Sequence, residues 1–168
     1  MPELQGKAKD TYIEAYGEEA YIAYNDTEPK MYHGSGYTCI PDDTPTFTHR
    51  PDHDMESLFW VLVVVLILAK PLGEPDEITP AFSSTWAYFD NHTISKDPHD
   101  PRNDIFGQPE KAWRELLHPK LSCLAGMLCK LAKQVQPEYG LLDTPPKPDH
   151  LHEAFRRILL EQIGRAHV

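Results

Sequence analysis

Four potential metal ligands lie close together just before the most apolar part of the chain. They are His49, Asp52, His53 and Asp54. Imidazole and carboxylate groups bind divalent metals, and a bound metal can activate water for phosphate-ester hydrolysis. A complete site would need further histidine and aspartate ligands from neighbouring helices. The doublet His53-Asp54 alone is a weak signal, so the pattern favours a helix start with solvated histidines over an HD-type phosphohydrolase.

The other clusters of polar residues point to structural roles. His150 and His152 flank a predicted helix start, where capping and surface exposure are expected rather than metal binding. Arg156 and Arg157 follow Glu153 at helical spacing, which predicts a solvated face with local ion pairs. We therefore predict no catalytic residue, no cofactor and no metal.

Composition limits the class of protein. The chain has 168 residues, which suggests one domain, and a formal net charge of −10, which argues against a nucleic-acid partner. The cysteines Cys39, Cys123 and Cys129 form no CxxC pair, and no basic-then-apolar signal sequence opens the chain. A reduced intracellular location, cytoplasm or nucleus, is predicted, with Cys123 and Cys129 in or near the core.

The apolar segment 58–69 is too short for a membrane span, which needs roughly 20 residues. It is apolar on all sides, so a core helix buried on every side is expected. The residues predicted to be largely buried are Phe59, Trp60, Leu62, Val63, Leu66 and Ile67, with helices over 119–136 and 149–163 packed around them.

The periodicity predicts a mainly α fold with long proline-rich loops. Helices are predicted over 54–69, 82–89, 110–118, 119–136 and 149–163, with one more possible in 4–24 that is weakened at Gly17. The last helix has an apolar stripe of Leu151, Ala154, Phe155, Ile158, Leu159 and Ile163. Residues 25–53, 71–80, 90–108 and 137–149 are predicted to be loops.

Three segments resemble the fungal-type protein kinases, a family expanded in basidiomycetes. HRPDHDMESLFWVL (49–62) is similar to the start of the central F helix of the C-lobe in that family. WRELLHP (113–119) and PDHLHEAFRRILL (148–160) resemble later parts of the same lobe. The resemblance covers roughly residues 45–163 in the right order and implies the late, helical part of a kinase-like C-lobe.

The resemblance implies structural roles for His49, Arg50, His53, Asp54, Glu56 and Ser57 at the start of the F helix. Asp54 would match the aspartate whose carboxylate accepts backbone N–H groups of the kinase catalytic loop. The alternative is that Asp54 only favours the N-terminus of its own helix.

Phosphoryl transfer requires parts that this sequence lacks. It has no GxGxxG loop, no VAIK-type lysine, no HRDxxxxN catalytic loop and no DFG motif. We therefore predict an inactive C-lobe portion that acts as an interaction or scaffold module. The alternative is part of an active serine/threonine kinase whose ATP-binding half is not in this chain.

Two regions are predicted, a loop-rich N-terminal segment (1–47) and a C-lobe-like helical domain (48–168). In a whole kinase, the resemblance implies, the catalytic loop and activation segment cover one side of the F helix. Without them the N-terminal segment would cover that side only in part. A protein partner or self-association through the uncovered face is therefore predicted.

Overall fold

The described part of the protein is helical and contains no strand, which confirms the mainly α prediction. The computed structural model describes residues 1–25, 51–73, 86, 103–135, 147 and 149–166. Its helices are α1 (Gly6–Tyr16), α2 (Glu18–Ile22), α3 (Pro51–Leu68), α4 (Asn103–Phe106), α5 (Glu110–Leu116), a 3-10 helix (Pro119–Leu124), α6 (Ala125–Val135) and α7 (His150–Ala166). The predicted helix over 82–89 lies outside the described residues except for Trp86, which is helical.

Helix α3 places one of its faces in the main core. Met55, Phe59, Val63 and Ile67 recur every fourth residue, and all four side chains are buried. This face packs against α6 and α7, as the sequence predicted. The remaining residues predicted to be buried, Trp60, Leu62 and Leu66, are only partly buried and pack at the edge of the core. Burial of the four buried side chains, from Met55 to Ile67, contributes roughly 1.5–3 kcal/mol each to the stability of the fold, before the entropy lost on ordering them is subtracted.

Phe59 is the centre of an aromatic cluster in this core. Its ring centroid lies 5.2 Å from that of Trp60, 5.6 Å from that of Phe106 and 6.3 Å from that of Trp113. Phe59 and Trp113 have no exposed surface. The cluster joins α3 to α4 and α5, because Phe106 and Trp113 come from those helices.

The helix boundaries differ from the predictions in ways that have physical reasons. Helix α3 begins at Pro51, three residues early, because the fixed φ of proline suits the first helical position. Pro119 likewise opens a helix, but the first turns are 3-10 and the α-helix begins only at Ala125. The short helix α4 lies inside the predicted loop over 90–108.

Cys123 is exposed, contrary to the core role predicted for it, because it lies on a 3-10 turn that contributes no buried residue.

The N-terminal segment packs on the last helix and has a small core of its own. Its buried residues are Leu4, Ala8, Tyr12 and Tyr21, and Leu160 of α7 packs against them. The chain turns between α1 and α2 at Gly17, whose φ of 86° and ψ of 155° suit only glycine. Gly17 is thus the break that the sequence predicted in this region.

Candidate functional site

The residues matched to the kinase F-helix start are only partly described. His49 and Arg50 lie outside the described residues. His53 is partly buried in the first turn of α3, and the hydroxyl of Ser57 donates a hydrogen bond of 2.9 Å to the His53 carbonyl oxygen. This bond runs from residue i to residue i−4, so the Ser57 hydroxyl is bonded to the backbone of its own helix.

Asp54 and Glu56 are both exposed on the first turns of α3. Carboxylates at this end of a helix are favoured by its partial positive charge. The role that the resemblance implies for Asp54, accepting backbone N–H groups from a catalytic loop, stays a prediction. Among the described residues no group of three or more histidine, cysteine, aspartate or glutamate side chains is placed to hold a metal ion.

The other face of α3 is exposed, although from Leu58 onward the exposed residues on it are apolar. Leu58 is 40% exposed, Val61 58%, Val65 55% and Leu68 54%. We call these four side chains the apolar row. The prediction that α3 is buried on every side is therefore wrong. Its physical reason is that α6 and α7 both pack on the face of Phe59 and Val63.

The apolar row has the spacing of a helix-packing seam. Its residues are separated by three, four and three positions, which is the a/d pattern of a coiled coil and keeps a straight line along one helix face. The row is about 15 Å long at 1.5 Å per residue. No charged residue lies between Ser57 and Ala69. Leu72, just beyond the helix, is also fully exposed.

A second feature is a buried ion pair on α7. The Arg157 side chain is 0% exposed and that of Glu153 is 3% exposed, and Arg157 Nε lies 2.7 Å from Glu153 Oε1. The prediction of a solvated face is therefore wrong for Arg157. It holds for Arg156, whose side chain is 42% exposed and whose Nη1 lies 3.0 Å from the other Glu153 oxygen.

Arg157 ties the N-terminal segment to α7. Its Nη1 donates to the Asn25 side-chain oxygen at 2.7 Å and to the Pro2 carbonyl at 3.2 Å. Its Nη2 donates to the Tyr21 carbonyl at 2.7 Å. The guanidinium carbon also lies 4.2 Å from the centre of the Tyr21 ring, within cation–π range. One side chain therefore joins the two ends of the described structure.

Tyrosines of the same segment make further contacts with α7 and its first turn. The Tyr24 hydroxyl donates to the Asp149 carboxylate, and this hydrogen bond raises the pKa of Tyr24 to about 12. Burial raises the pKa of Tyr12, and its hydrogen bond to Glu153 acts in the same direction. Each shift means that the folded state disfavours the phenolate form.

His150 departs from the surface position predicted for it. Its side chain is 3% exposed at the start of α7, and burial lowers its pKa. The positive charges of the amino terminus and of Arg157 act in the same direction, while Asp149 and Glu153 oppose them. Burial in the core therefore disfavours the protonated form of His150. His152, two residues on, is partly buried.

None of the described helices is both long and apolar enough to cross a membrane. No protein-family model, no curated protein and no solved structure matches this chain. The geometry of α3 and α7 and the sequence motifs therefore carry the functional argument. Of the two features, only the apolar row presents an open surface to another molecule, since the groups around Arg157 are buried against each other.

Proposed function

We propose that this chain is a helical interaction module, similar to the late C-lobe of a fungal-type protein kinase, that binds protein through the apolar row of α3 and transfers no phosphate. The observation that carries the proposal is the exposure of Leu58, Val61, Val65 and Leu68 along one helix face. Contiguous apolar surface of this kind marks interaction sites in soluble proteins. The seam spacing fits a helix better than an extended peptide, because a helix can place its own side chains between those of the row.

The kinase-like part of the proposal is supported by the placement of the resembling segments. The first of them forms the start of α3, the second lies in and after α5, and the third forms the start of α7. The resemblance implies that the missing catalytic loop and activation segment would cover one side of the central helix. An apolar face left open on α3 agrees with that expectation. It agrees equally with the alternative, which is part of an active serine/threonine kinase whose ATP-binding half is not in this chain.

The absence of phosphoryl transfer is tested by calorimetry with Mg-ATP. The sequence has no glycine loop, no catalytic lysine and no metal-binding aspartate of a DFG motif, so only heat of dilution is expected. Micromolar ATP binding that a point variant of this chain abolishes would contradict the proposal.

The interaction surface is tested with a fluorescent hydrophobic dye at low protein concentration. Val61→Glu places a carboxylate in the middle of the apolar row. Ile163→Glu is the matched control, because Ile163 is 55% exposed on α7, close to the 58% of Val61, but lies away from the row. We expect the wild-type protein and the control to bind the dye and Val61→Glu to lose most of the binding. Equal dye binding by all three, or none by the wild type, refutes the apolar row as the site.

A further inference from the structure

We infer that the docking of residues 1–25 on α7 is pH-sensitive, and that acidification loosens this segment while the main core stays folded. The inference goes beyond the proposed function and does not depend on the apolar row. It is carried by the position of His150, a histidine that is buried where the segment meets α7. Histidine is the side chain that ordinarily gains its charge between pH 5 and 8, so a histidine at this contact couples docking to acidity.

His150 lies on the face of α7 that the segment covers. Glu153 and Arg157 follow it by three and seven positions, which places all three residues on one side of the helix. Arg157 donates hydrogen bonds to the carbonyl oxygens of Pro2 and Tyr21 in the segment. At this face the side chain of His150 is only 3% exposed.

Further contacts with the segment lie directly before His150 in the chain. Lys147 donates to the Ala23 carbonyl oxygen, and the Tyr24 hydroxyl donates to the Asp149 carboxylate. His150 is therefore flanked on both sides along the chain by groups that hold the segment. We expect the imidazole ring to meet water when the segment leaves α7.

Charged groups act on His150 from both sides of this contact. Those on α7 and in the turn before it are Asp149, Glu153 and Arg157, and the one on the segment is the amino terminus. The segment also brings Tyr12 to Glu153 and Tyr24 to Asp149. Both tyrosines have a raised pKa, so they stay neutral in acid and add no charge to the contact.

The balance of these effects disfavours the protonated ring. The positive amino terminus and Arg157 repel it, and Asp149 and Glu153 attract it. Glu153 is already paired with Arg156 and Arg157. Burial is the largest effect, and it lowers the pKa of His150. Because the penalty of burial ends when the ring meets water, proton binding favours the released segment.

The segment can leave without opening the main core, because the two cores are separate. The buried residues of the segment are Leu4, Ala8, Tyr12 and Tyr21. Among the described residues, the main core contains none from the segment. Helix α7 contacts the main core through other side chains, including Leu151 and Phe155. Loss of the segment therefore leaves those contacts in place.

The size of the effect is limited by the titration of one histidine. A ring that titrates near pH 6.5 only when the segment is released raises the opening constant by at most about tenfold between pH 7.5 and 5.5. Acid therefore increases the population of molecules with an open segment rather than unfolding the protein.

Amide hydrogen exchange of the full chain at pH 7.5 and 5.5, corrected for intrinsic rates, tests the inference. Protection in α1 and α2 should fall in acid, by up to about tenfold, while protection in α3 and α6 stays the same. His150→Gln and His150→Leu remove the titrating group and should make segment protection independent of pH. His152→Gln is the matched control, because His152 is partly buried two residues further along α7, and it should respond like the wild type.

Several results would overturn the inference. An equal loss of protection in all helices means that acid acts on the whole fold, and constant protection means that docking is not pH-sensitive. A selective loss that persists in both His150 variants assigns the effect to another group. The NMR titration of the His150 ring in the wild type needs no variant, and a ring that titrates at or above pH 6.5 contradicts the inference directly.

Discussion

Replacing Arg157 by alanine should detach the N-terminal segment and destabilise the fold. The side chain is fully buried and donates to Glu153, Asn25 and the Tyr21 and Pro2 carbonyls. Breaking a buried ion pair from one side costs roughly 3–5 kcal/mol, because a charge stays behind without its partner. Glu153 keeps its contact with the more exposed Arg156. That contact places the expected loss near the lower limit, at about 3 kcal/mol.

The assay is thermal and urea unfolding followed by circular dichroism. A loss of about 3 kcal/mol corresponds to a fall of roughly 6–12 °C in the melting temperature for a chain of this size. Arg156→Ala is the control, since Arg156 pairs with the same Glu153 from a side chain that is 42% exposed and should contribute about 1 kcal/mol. Arg157→Lys keeps the charge but not the planar group that reaches several acceptors, so it should fall between the two.

Hydrogen exchange then shows which helices are destabilised in the Arg157→Ala variant. In Arg157→Ala, amide protection should fall first in α1 and α2, while α3 and α6 keep theirs, because the segment has its own small core and loses the Arg157 contacts to Pro2, Tyr21 and Asn25. Equal melting temperatures for Arg157→Ala and Arg156→Ala would refute the reasoning. They would mean that residues 1–25 are held mainly by the apolar contacts around Tyr12.

Three further predictions follow from burial, titration and backbone conformation. Phe59→Ala should lower the free energy of unfolding, measured with urea, by about 3–5 kcal/mol, because it leaves a cavity in the aromatic cluster. Val61→Ala, on the exposed face, should change it by less than about 1 kcal/mol. Similar losses for the two variants would show that α3 packs on the core with its other face. Because the pKa of His150 is lowered below its unfolded value of about 6.5, the unfolded chain binds more protons below that pH, and the free energy of unfolding should fall as pH drops through it. His150→Gln should flatten this part of the pH profile measured by urea titration, and an unchanged slope would assign it to other groups. Gly17→Ala has open space for its methyl group but a positive φ, so it should cost about 1–2 kcal/mol by thermal melting, and a neutral result would show that the turn relaxes.

The helices and the main core face were accessible from the sequence, but the open face of α3 was not. Phe59, Val63 and Ile67 lie in a segment too apolar to be anything but core. The same uniformity hid the apolar row, because a helix that is apolar on all sides carries no periodic signal for which side faces solvent. Only the packing of α6 and α7 decides that. Ile163 was misplaced although α7 does have a periodic pattern, since it fits the apolar stripe of α7 but is 55% exposed near the end of that helix.

The buried ion pair was hidden for a different reason. Glu153 and Arg157 are four residues apart on one helix, and the same spacing occurs in exposed pairs such as Glu110 and Arg114. Local sequence cannot tell the two apart. The difference comes from Tyr21 and Asn25, which cover the pair from more than 130 positions away in the chain. Contacts at that separation depend on the whole fold.

The distance along the chain between Arg157 and its acceptors also has a consequence for synthesis. A ribosome adds about 5–20 residues per second, so the 132 positions between Asn25 and Arg157 take roughly 7–26 seconds to make. During that time the tyrosines of α1 and α2 have been translated but α7, the helix they pack on, has not. Residues 1–25 are therefore made well before the helix they pack on, and they reach their final contacts only after α7 has been made.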